Sequence, residues 1–157
     1  MMLLTKMLDD LYKAEACIFK PVPEKDLREL RMNLAKKSLP PIPSDYLQFL
    51  SLTDGLIYNG LQFFGVKEHN REASIYTYPD IMSVNEDFQR RNRRKDILII
   101  GEKDEDFITY RPKEKVYQLM DRFDLIGDLN LPRFLDVVYF FNQELLGNQA
   151  ASLQAEK

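Results

Sequence analysis

Tryptophan is missing from this 157-residue sequence, and cysteine and histidine occur once each, at Cys17 and His69. A single thiol excludes an intramolecular disulfide and any cysteine-rich metal site, which suits a reducing compartment. Cys17 follows an apolar helical face and lies away from any helix N-terminus, so a small buried thiol is expected there rather than a nucleophile. His69 sits between Glu68 and Asn70 in a polar stretch, where nothing positions a proton acceptor or an orienting partner for general-base work. It reads as a solvated loop residue. The phosphate-cradling patterns G-x-x-x-x-G-K-S/T and G-x-G-x-x-G are absent, as is the serine-hydrolase elbow G-x-S-x-G. A large excess of one charge is missing too. Lys plus Arg total 22 against 25 Asp plus Glu, for a net charge of −3, without the basic excess of a nucleic-acid binder. No run approaches the ~20 apolar residues of a membrane span. Leu3, Leu4, Met7 and Leu8 are broken by Lys6, Asp9 and Asp10, so no signal-peptide core is expected. These absences point to a soluble cytoplasmic chain with no cofactor and no metal.

Ten Phe and eight Tyr are present, in a chain long enough to bury a substantial core as one domain. Its organising stretch is Leu39 to Gly65, LPPIPSDYLQFLSLTDGLIYNGLQFFG. Pro43 and Ser44 predict a helix start, with Pro in the first turn or Ser as the N-cap. Leu47 and Leu50 share a face with Tyr46 and Phe49 beside them, and Asp54-Gly55 supplies a left-handed position to end the helix. Leu61, Phe63 and Phe64 follow as a strand bracketed by Gly60 and Gly65.

Leu4, Met7, Leu8, Leu11 and Ala14 recur at helical spacing from about Leu3 to Cys17, and Leu27, Leu30 and Leu34 mark a second helix over Glu24 to Lys37. Lys67 to Ser74 reads as a loop and Ile75 to Tyr78 as a short strand. Pro79-Asp80 opens a helix carrying Ile81, Val84 and Phe88. From Asp96 the period becomes strand-like. Ile97 to Ile100 is an apolar strand closed by Gly101, Phe107 to Tyr110 is a second, and Lys115 to Met120 a third, with Val116 as anchor and Tyr117 and Leu119 on the other face. Their short connections suit antiparallel neighbours. Asn130 and Pro132 mark a last helix, apolar through Phe134, Leu135, Val137, Val138, Phe141 and Leu145, with Gly147 as its stop. The expected fold is α+β: a small, mostly antiparallel sheet packed with several helices. Residues 1–147 form one domain with an N-terminal helical extension, and 148–157 a frayed tail.

The run P-S-D-Y-L-Q-F-L, then D-G-L, then G-L-Q-F-F-G resembles the front half of the SUKH superfamily, which joins fungal cell-wall-synthesis regulators with bacterial immunity proteins against polymorphic toxins. The likeness continues at Ile97 to Gly101, Asp106 to Tyr110 and Val116 to Asp121, and spans roughly Leu27 to Leu146. The turn Thr53-Asp54-Gly55-Leu56 departs from the aromatic and the Gly-Gly pair that many members carry there. The resemblance implies a SUKH-like fold and a non-catalytic, intracellular, protein-binding role.

Two charged runs stand out. Glu102, Asp104, Glu105 and Asp106 form an acidic stretch that fails as an EF-hand, since a loop starting at Asp104 has Thr109 where Gly is needed and Lys115 where Glu is needed. It reads as a solvated turn or a partner-binding surface. Arg90, Arg91, Arg93, Arg94 and Lys95 form a basic cluster without the interleaved aromatics of single-strand recognition. A helix end beside the acidic loop, a protein-contact patch and a nucleic-acid patch remain open for it, the last least favoured. Tyr58, between Asp54-Gly55 and Gly60, is an amphipathic ring on a glycine-bounded loop and so a candidate contact residue.

The function expected is that of an immunity protein covering a toxin's active surface, with Asp54, Tyr58, Glu102, Asp104 and Asp106 as contact residues chosen for exposure. A regulatory adaptor is the alternative, and a carboxylate-dependent hydrolase using Asp104, Asp106 or Asp121 the third reading. The residues define neither the partner nor the oligomeric state.

Overall fold

The computed structural model describes residues 2–70 and 77–143. The organising stretch folds around its aromatics. Helix α3 (Ser44–Leu50) buries Tyr46, Phe49 and Leu50, and is preceded by α1 (Met2–Lys13), strand β1 (Cys17–Ile18) and α2 (Glu24–Lys36). Pro43 is the N-cap of α3 and Ser44 its first helical residue, with no side-chain cap. Asp54-Gly55 does not end this helix, which stops at Leu50. Gly55 instead holds a φ of +91° where a Cβ would lie 2.6 Å from the Phe63 carbonyl oxygen, so glycine is needed for strand approach.

β2 (Leu56–Tyr58) and β3 (Leu61–Phe63) form a hairpin closed by Asn59 and Gly60, both at positive φ. That is the dipeptide a two-residue primed turn requires. β4 (His69–Asn70) and β5 (Thr77–Tyr78) pair as a small separate ribbon, then α4 (Ile81–Asn92) crosses to β6 (Leu98–Lys103). The expected loop over Lys67 to Ser74 thus contains a strand, while its residues 71–74 lie outside those described, as do 75–76 of the expected strand. β7 (Asp106–Arg111), β8 (Val116–Asp121) and β9 (Gly127–Leu131) follow, and α5 covers residues 134–143. Leu145, Gly147 and the tail 148–157 lie outside the described residues.

Among the described residues the fold is α+β, with an antiparallel seven-stranded sheet in the order β1-β2-β3-β6-β7-β8-β9. Asp80 caps α4 by accepting the Ser83 amide at 3.1 Å, as its sequence position predicts. Gly101 does not close β6. It lies within the strand at a register shift, where the Gln62 carbonyl would meet a Cβ.

The two sheet faces carry different helices. Ile108 and Tyr117 face α5, where Phe134 meets the rings of Tyr46, Phe49, Phe63 and Tyr117 at centroid distances of 4.8–5.9 Å. Phe107 and its register partner Met120 point the other way, and Phe107 meets Phe88 of α4. Val116 is therefore no anchor: Tyr117 and Met120 are the buried residues of β8. Deleting one of these ring clusters' members would cost about 3–5 kcal/mol.

Both sheet edges are blunted. β1 is two residues long and leads toward Pro21. β9 carries a register shift against β8, with Leu129 at φ +63° and its amide bonded to the Asp128 carboxylate at 2.7 Å. A kinked edge whose donor is already taken is a poor template for another strand.

Candidate functional site

Three turns meet at one end of the sheet. The Asp104 amide donates to the Gly60 carbonyl at 3.2 Å, joining the β6–β7 tip to the β2–β3 tip. The Arg122 amide donates to the Glu105 carbonyl, also at 3.2 Å, joining the β8–β9 turn to the same row. Register then gathers the charges, because Asp106 pairs with Asp121, Glu102 with Phe107 and Lys103 with Asp106. Glu102, Asp104, Glu105, Asp106, Asp121 and Asp124 occupy this end, with Lys103 and Arg122 as the interspersed cations. Lys103 pairs with Asp104 at 2.7 Å and Arg122 with Glu102 at 2.6 Å, so the acids outnumber their local partners.

Two large apolar side chains project from the row: Phe123 is 77 % exposed and Ile126 is 67 % exposed. Their backbone is fixed by flanking acids. Asp121 accepts the amides of Phe123 at 2.8 Å and Asp124 at 3.0 Å, and Asp124 accepts that of Ile126 at 2.9 Å. The amides of Asp124 and Phe123 hold the Asp121 carboxyl below the usual carboxylate range, so it stays ionised as it clasps the turn. Apolar groups exposed on a turn already held by such bonds would need little further ordering to make a contact.

Of the residues chosen from sequence, Asp104 is 69 % exposed, and Glu102 and Asp106 are half-buried within the row. Asp54 and Tyr58 are corrections, since each is only 5 % exposed. Tyr58 ends a strand of the hairpin rather than lying in a loop. Asp54 faces inward, accepting the Val66 amide at 2.5 Å and the Lys67 amide at 3.3 Å. Its third partner is His69, whose Nε2 lies 2.9 Å from the same carboxylate while its ring stacks on Phe19 at 3.8 Å. His69 is thus a packed, partnered residue rather than a solvated one. Cys17 is half-buried in an edge strand rather than on a helix.

The basic cluster does not neutralise the acidic run. Arg90 and Arg91 pair with Asp87, and Arg94 with Asp96 and the Leu125 carbonyl. Phe123 and Ile126 escape sequence reasoning because the strand after them alternates over only four residues, Asp128 to Leu131, although two Asp spaced to cap a turn around them are a usable signal.

Among the described residues no cluster of three or more His, Cys, Asp or Glu is arranged to hold a metal, and no helix is long and apolar enough to cross a membrane. No family model matches the sequence, and no curated protein matches it.

Proposed function

We propose that this chain is a non-catalytic protein-binding domain of the immunity type, which docks through the three-turn end of its sheet onto a basic partner and blocks it sterically. The observation that carries this reading is the acidic row with Phe123 and Ile126 exposed on its β8–β9 turn. Acids there would speed encounter with a basic surface such as that of a nucleic-acid-cleaving toxin, and the two apolar side chains would supply the desolvated contact. Because both sheet edges are blunted, recognition would run through side chains and turns rather than strand addition. The resemblance of the Leu39 to Gly65 stretch to SUKH proteins supports the same role.

The test is capture of partners by the tagged chain from its source cells, with washes of rising ionic strength. The reading expects one stoichiometric basic protein, released as salt rises, and lost with Phe123→Ser plus Ile126→Ser. A partner held equally by wild type and by this double variant, at all salt concentrations, would refute it.

A further inference from the structure

Helical spacing sets Glu24, Arg28, Arg31 and Ala35 along one side of α2, at steps of four, three and four residues. Asp26 and Glu29 turn to other sides, and Asp26 lines a separate hollow with Val22 and His69. Two arginines thus outnumber the one acid on that side, and among the described residues neither arginine has an ion-pair or hydrogen-bond partner. They flank an open hollow of about 530 Å³ between α2 and the segment that follows it, with Met32, Ala35, Pro41 and Ile42 as its apolar lining.

The β8–β9 turn is the converse surface. Phe123 and Ile126 project from it beside Asp121 and Asp124. The ion pairs at that end use Asp104 and Glu102, which leaves Glu105, Asp106, Asp121 and Asp124 without a cation among the described residues. The two patches do not cover one another within one chain, since Met32 is 57 % exposed and Phe123 and Ile126 stand free of other side chains over most of their surface. Each patch therefore finds its complement, apolar to apolar and acid to base, on another copy. We infer that the β8–β9 turn of one copy seats in the α2 hollow of a second copy, with Phe123 and Ile126 against Met32, Ala35 and Ile42, and Asp121 and Asp124 meeting Arg28 and Arg31.

A net charge of −3 is too small to hold copies apart. Strand pairing does not compete, because both sheet edges are blunted. Whether two copies exchange turns reciprocally or add head to tail, every contact joins one turn to one hollow. Two apolar side chains and a few charges make less than a standard interface, so the contact is weak, with a Kd of about 0.1 mM. The inference stands apart from the reading above, because it concerns the purified chain with no partner present. A basic partner would compete for the same turn and so disperse the copies.

Sedimentation equilibrium of the purified full chain tests this. At low salt the average mass should rise with concentration, and it should return to that of the monomer as salt screens the charges. Phe123→Ser plus Ile126→Ser strips the turn, and Arg28→Glu plus Arg31→Glu reverses the charge beside the hollow. All four positions are exposed, so both variants should fold as wild type does. Each variant alone should associate about tenfold more weakly or less. Mixed in equal amounts they should form a dimer and nothing larger, because one brings an intact hollow and the other an intact turn. Wild type that stays monomeric up to about 1 mM would overturn the inference. So would association of wild-type strength in either variant, or a mixture that stays monomeric or grows beyond the dimer.

Discussion

The carboxylate of Asp45 ties Tyr117 to Phe134. One oxygen accepts the Tyr117 hydroxyl at 2.5 Å and the other the Phe134 amide at 2.7 Å, joining α3, β8 and the first turn of α5. An anion at a helix N-terminus also meets the positive pole of its dipole. Asp45→Ala leaves the hydroxyl of the buried Tyr117 and a helix-start amide without their acceptor, and should cost about 2–4 kcal/mol. Urea unfolding measures it. A loss below ~1 kcal/mol would mean that solvent replaces Asp45 at both sites.

Alkaline pH should weaken the fold through two buried phenols. Burial, aided by the Asp54 carboxylate, raises Tyr46 well above the ordinary value of 10.0. Burial and then the adjoining Asp45 raise Tyr117. Both remain protonated in the fold while an unfolded tyrosine ionises near pH 10, so above that pH the unfolded chain binds fewer protons. Their contribution is complete below pH ~10 and is lost as pH rises through the raised values, at about 1.4 kcal/mol per pH unit for each phenol. Urea midpoints on either side of pH ~10 should show the fall, and Tyr117→Phe should reduce its slope. An unchanged slope in that variant would rule Tyr117 out as a source.

Asn85 does the work of a missing strand. Where β3 turns away, its side chain accepts the Ile99 amide at 2.8 Å and donates to the Ile99 carbonyl at 2.8 Å, fully buried. Asn85→Leu keeps the volume but strands both backbone groups, for a cost of about 2–5 kcal/mol. Amide exchange at Ile99 should accelerate more than at Leu98. Equal acceleration at both would point to global loosening instead.

The helices and central strands could be read from the chain because apolar spacing and caps report burial directly: Leu30 and Leu34, Asp80, and the Ile97–Ile100 run all behave as their pattern requires. Tyr58 and the β2–β3 hairpin escape the sequence pattern although Asn59-Gly60 is a strong turn signal, because Gly55 and Gly60 on either side of Tyr58 read equally well as loop boundaries. β9 alternates only over Asp128 to Leu131, and of its two leucines only Leu131 is partly covered, a signal too short to outweigh the helix start suggested by Asn130 and Pro132. Its place depends on pairing with β8, which is tertiary information. Asp54 shows the same limit. A carboxylate beside a glycine looks exposed by composition, and only the return of residues 66–69 onto it makes it an interior acceptor.

That return gives the last prediction. Asp54 holds the amides of Val66 and Lys67 and the ring of His69, and His69 stacks on Phe19, so three chain segments share one carboxylate and one ring stack. Asp54→Ala should cost about 2–4 kcal/mol and speed exchange at the Val66 amide first. His69→Ala and Phe19→Ala each remove the same stack. The double variant should therefore cost less than the sum of the singles, by roughly 0.5–1.5 kcal/mol, the range of an aromatic pair. A double-mutant cycle by urea unfolding measures the difference. Additivity within ~0.3 kcal/mol would show that the two rings touch without coupling, and that His69 is held by Asp54 alone.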